Sequence, residues 1–74
     1  MLDLPMWAVY DHPTDYPTLY VAREHIVSEG GSRATSKVLA SSELPLLRDM
    51  LAAMGLACLN RSPDDDPKIL ETWL

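Results

Sequence analysis

The densest set of chemically capable groups lies in Tyr10-Asp11-His12-Pro13-Thr14-Asp15-Tyr16. An aspartate beside a histidine, with a second carboxylate and two phenols nearby, has the parts for acid–base work. Asp11, His12, Asp15 and Tyr16 are therefore the candidate site residues. A structural reading competes and is favoured. Aspartates cap turns through their own side chains, and tyrosines pack on prolines such as Pro13 and Pro17. No nucleophile sits near His12 in sequence, so no catalytic residue is assigned.

The other chemical candidates are weaker. Cys58 could act as a nucleophile with His12 or His25 as base, but a single cysteine in an apolar run reads as packing. His25 follows Glu24 within a strand pattern, so the two point to opposite faces and make no local metal site. Asp64-Asp65-Asp66 lacks the alternating spacing and closing glutamate of a calcium loop. Gly30-Gly31-Ser32 with Lys37 has the wrong order for a phosphate loop. Arg23 and Arg61 have Asp15, Glu71 or the acidic turn as possible ion-pair partners. No cofactor and no metal are expected.

These groups need elements to hold them. Residues 6–10 read as a first strand and 18–27 as a second, separated by the proline loop. Gly30 and Gly31 supply a turn, and 34–40 returns as a third strand. Ser42 is the expected N-cap of a helix, with Glu43 near its positive end and Pro45 in its first turn. The helix runs to about Met54, and Gly55 stands where a left-handed terminating residue belongs, with Leu56 folding back on Leu51. Residues 56–61 read as a fourth strand and 62–67 as a turn. Residues 68–74 read as a fifth strand, with a short helix as the alternative. The expectation is an α+β fold: a small antiparallel sheet with one helix packed on a face, in the order β-β-β-α-β-β, as a single domain over 1–74.

The helix is apolar over about half its circumference, wider than a surface helix needs. Leu44, Leu46, Leu47, Met50, Leu51, Ala53 and Met54 form this apolar part; Arg48, Asp49 and Ala52 are its wet side. Both sheet faces also carry apolar residues: Leu19, Val21 and Val27 on one side of strand two, Tyr20, Ala22 and Ile26 on the other. Trp7 and Val9 oppose Met6, Ala8 and Tyr10, while Ile69 and Trp73 oppose Leu70 and Leu74. One helix covers one face. Either these registers are wrong or a partner chain covers the second face.

Composition narrows the function. With 11 acids against 6 bases, the net charge is −5, and the bases are scattered. That disfavours nucleic acid and anionic membranes as partners. One cysteine permits no internal disulfide. The start Met1-Leu2-Asp3-Leu4-Pro5 has no basic leader pattern, and the apolar run 50–59 is too short to span a bilayer. A cytoplasmic location is expected, and the Asn60-Arg61-Ser62 sequon then has no role.

Two stretches resemble one family. Trp7-Ala8-Val9-Tyr10-Asp11-His12-Pro13-Thr14-Asp15-Tyr16-Pro17, continuing to Tyr20-Val21-Ala22-Arg23, resembles the opening of a family of short uncharacterised bacterial and phage-associated proteins. Asp65-Asp66-Pro67-Lys68-Ile69-Leu70-Glu71-Thr72-Trp73-Leu74 resembles its close. The resemblance covers under half of the chain and implies a compact bacterial domain, but no reaction. The functional expectation is a non-enzymatic protein-interaction domain that self-associates through an apolar sheet or helix face. The alternative is a small ligand-binding or catalytic domain using the loop at 11–15.

Overall fold

The computed structural model describes residues 3–59 and 67–74. β1 (Leu4–Asp11), β2 (Tyr20–Ser28) and β3 (Gly31–Ser41) precede α1 (Leu44–Ala53), and β4 (Cys58–Leu59) and β5 (Ile69–Trp73) follow it. The strands form one five-stranded sheet in the order β3-β2-β1-β5-β4. Every neighbouring pair is antiparallel. The class expected from the sequence, an α+β fold with an antiparallel sheet and one helix, is the class observed. Residues 68–74 are strand rather than helix, apart from their first and last positions.

The helix is also the crossover. It carries the chain from β3, at one edge of the sheet, to β4, at the other. Leu47 and Leu51, one turn apart, are fully buried between α1 and the sheet. They join Trp7, Val9, Ala22 and Trp73 in the core, with Tyr20, Leu39, Leu44, Leu56 and Leu70 packed around it. Leu56 thus reaches the cluster that holds Leu51, as its place after Gly55 leads one to expect.

Several boundaries differ from the sequence reading. β1 extends back to Leu4 and includes Pro5. Pro5 lies beyond Trp7, the last β1 residue paired with β5, so its missing N–H removes no bond to that strand. β3 runs on to Ser41, which displaces the helix start. Glu43, not Ser42, occupies the N-cap, with no side-chain capping bond. The Ser41 hydroxyl instead accepts the Glu43 N–H at 3.1 Å. The described part of the fourth strand is only Cys58–Leu59, and its expected end and the turn at 62–66 lie outside the described residues.

Gly55 terminates α1 with φ +82. Its N–H donates to the Ala52 carbonyl at 3.0 Å. An added Cβ meets nothing within 4 Å, so only the backbone conformation selects glycine here. Gly55→Ala is expected to cost about 1–2 kcal/mol and to lower the melting temperature by about 4–8 °C per kcal/mol, measured by circular dichroism.

Two irregularities reshape the faces. Between Val9 and Tyr10 of β1, β5 carries one extra residue, Leu70. Simple alternation opposes Leu70 to Trp73, yet both pack against the core. Opposite Glu24 of β2, β3 places three residues, Thr35, Ser36 and Lys37. This bulge lets the Thr35 hydroxyl donate to Glu24 Oε1 at 3.0 Å, satisfying a buried carboxylate.

The second face needs less covering than the sequence suggests. Ala8 and Val21 lie on the side away from Val9 and Ala22, yet both are buried. The chain's own proline loop supplies part of the cover. Its turns (Tyr16 N–H to Pro13 O, 2.9 Å; Leu19 N–H to Tyr16 O, 3.2 Å) fold it back so that Asp15 and Tyr16 meet Arg23 of β2. A partner chain is therefore not required over that part of the sheet.

Candidate functional site

The four candidate residues separate into two groups. Asp11 ends β1, and its N–H donates to the Lys68 carbonyl at 2.8 Å, which fixes it against β5. His12 follows with φ +49, a left-handed conformation uncommon for a side-chain-bearing residue. That bend turns the imidazole so that Nδ1 meets Asp11 Oδ1 at 2.5 Å. The ring also meets Tyr20 edge-on, with centroids 4.7 Å apart. Lys68 Nζ donates to the His12 carbonyl at 3.5 Å.

Asp15 and Tyr16 belong to a different assembly on the other face. The Arg23 guanidinium pairs with the Asp15 carboxylate and stands over the rings of Tyr10 and Tyr16, 5.7 and 5.9 Å from their centroids. Arg23's hydrogen bond holds the Asp15 carboxyl below the usual range. Asp15 is exposed, so this pair contributes little to stability. The Tyr10 hydroxyl lies 3.4 Å from His25 Nε2. Arg23 and Asp15 are one of the ion pairs the sequence allows, and the arrangement clips the loop to the sheet.

A carboxylate on Nδ1 orients an imidazole and leaves Nε2 as its other nitrogen, which is the posture of a general base. A reaction also needs a nucleophile or substrate within reach. No pocket opens among the described residues. No group of three or more His, Cys, Asp or Glu among them is placed to hold a metal ion. Cys58 does not supply the nucleophile. It sits exposed on β4 opposite Trp73, where desolvation by its neighbours and then the Glu71 carboxylate push its thiol pKa up. A reactive thiol needs the opposite shift. Asn60, Arg61 and Asp64-Asp65-Asp66 lie outside the described residues.

The strongest polar cluster is one that motif reasoning overlooks. Arg48 of α1 donates to Glu71 of β5 through Nε (3.1 and 3.2 Å) and through its terminal nitrogen (2.7 Å). Trp73 Nε1 donates to the second carboxylate oxygen at 2.7 Å. Glu71 is only 6% exposed. Burial alone raises its pKa, but the Arg48 and Trp73 hydrogen bonds outweigh burial and hold it below the ordinary value. Glu71 thus pairs with Arg48, while Arg23 pairs with Asp15 and Arg61 lies outside the described residues. The signal lay in the alternation: Ile69, Glu71 and Trp73 share one parity, which aims Glu71 at the helix side.

No family model, curated protein or solved structure matches the chain. Among the described residues no helix is long and apolar enough to cross a membrane.

Proposed function

We propose that this chain is a small cytoplasmic protein-interaction domain that works by binding rather than by chemistry, and that it associates with a second copy of itself. One observation carries the reading. Leu46 and Met50 of α1 and Met54 at its C-cap recur every fourth residue and are 51, 37 and 49% exposed. They form one continuous apolar row beside the buried Leu47 and Leu51. The other exposed large apolar residues, Leu4, Tyr16, Val38, Leu59 and Leu74, belong to the strands, the proline loop and the chain end. Methionines suit such a row because they adapt to a facing surface.

A two-fold axis through Met50 sets Leu46 against Met54 of the second copy and Met50 against itself. The row supplies less than the roughly 1,200 Å² of a standard interface, so the association is weak and depends on concentration. Sedimentation velocity over a concentration series tests it. The wild-type chain is expected to shift from monomer towards dimer, and Met50→Lys to remain monomeric with its melting temperature unchanged. A wild-type chain that stays monomeric at every concentration contradicts self-association.

The carboxylate-oriented His12 favours a second reading, a ligand-binding or catalytic loop at Asp11, His12, Asp15 and Tyr16. The separation of these residues into two groups weighs against it. The resemblance to short bacterial and phage-associated proteins agrees with a compact binding module and supplies no activity.

A further inference from the structure

We propose that the outer edge of β3, where Arg33 and Lys37 stand on an otherwise uncharged strand, binds a short extended acidic segment of a partner protein as an added sixth strand. β3 is the longest strand, with 11 residues, and it closes the sheet on one side. Its outward backbone groups face no described strand, so they are available to a ladder. The opposite edge, β4, has only two described strand residues.

Charge selects the occupant. Gly31–Ser41 contains Arg33 and Lys37 and no acid, while the rest of the chain carries 11 acids against 4 bases. Arg23 and Arg48 are committed to Asp15 and Glu71. Arg33 and Lys37 are exposed, and neither forms an ion pair with a carboxylate among the described residues. Two copies meeting along this edge bring like charges together, which is unfavourable. An acidic strand meets them favourably. The bulge at Thr35, Ser36 and Lys37 divides the edge into straight runs at 31–34 and 38–41. That limits the guest to a short segment and blocks extended sheet growth.

The probe is a blocked hexapeptide of alternating valine and glutamate, titrated at low salt into the ¹⁵N-labelled full chain. Amide shifts confined to β3 are expected. Arg33→Glu with Lys37→Glu is expected to weaken binding by roughly tenfold or more. The same peptide N-methylated at alternate positions is expected to lose binding, because it cannot complete a ladder. Met50→Lys leaves this binding intact, so its outcome is distinct from that of the helix row. The proposal is overturned if no shifts appear, if they map away from β3, or if the N-methylated peptide or an oligothymidylate binds equally well.

Discussion

Leu51→Ala is expected to lower the melting temperature far more than truncation of any exposed apolar residue of the helix, with Leu47→Ala close behind. Both side chains are fully buried, and with the partly buried Leu44 they hold α1 on the sheet. Removing three carbons from such a site costs the transfer energy and leaves a cavity, together about 3–4 kcal/mol. The chain has 74 residues, for which a total stability of roughly 4–10 kcal/mol is typical. A loss of that size lowers the melting temperature by about 15–25 °C. Thermal circular dichroism checks it, with Met54→Ala as the contrast. Met54 is 49% exposed, so its truncation is expected to change stability by less than about 1 kcal/mol.

The second large effect concerns Glu71. Arg48→Ala leaves its buried carboxylate with the Trp73 N–H as its main remaining donor. Stranding a fully buried charge costs roughly 3–5 kcal/mol. The Arg48 side chain is half exposed, so water enters where it leaves and the expected loss is about 2 kcal/mol. Adding Glu71→Gln to Arg48→Ala is expected to recover part of that loss, because the stranded charge disappears.

The sign of the pH dependence follows from the same geometry. The folded-state pKa of Glu71 lies below its ordinary value of 4.5. Its ionised form therefore stabilises the fold fully above that ordinary value, and the contribution is lost as pH falls through the folded-state pKa. Urea unfolding of wild type and Glu71→Gln from neutral to acidic pH is expected to show a gap that narrows on acidification. A gap constant with pH contradicts the ionic role.

The elements were legible where a local rule governs them. Pro13 and Pro17 forced the loop and Gly55 ended the helix, whereas only the structure separates the buried Leu47 and Leu51 from the other apolar helix positions. What escaped depended on long-range pairing. The extra residue Leu70 and the bulge at Thr35, Ser36 and Lys37 appear only once β5 meets β1 and β3 meets β2. The helix cap moved because β3 continued through Ser41.

The candidate site was legible as a list of residues and not as an arrangement. Asp11 and His12 do form a pair, but Asp15 and Tyr16 face Arg23 instead. Arg23 is four residues past Leu19, and nothing local to the loop indicates that it will gather Tyr10, Asp15 and Tyr16. The docking of that loop on Arg23 is likewise a tertiary event.

Self-association through the outward row of α1 is the central claim. Its most direct test is an intermolecular nuclear Overhauser measurement on a mixture of isotope-labelled and unlabelled chains at high concentration. Contacts from the Met50 methyl of one copy to the Met50, Leu46 and Met54 methyls of the other are predicted. Intermolecular contacts that instead join Leu4 or Val38 on the sheet, or none at all, contradict the account.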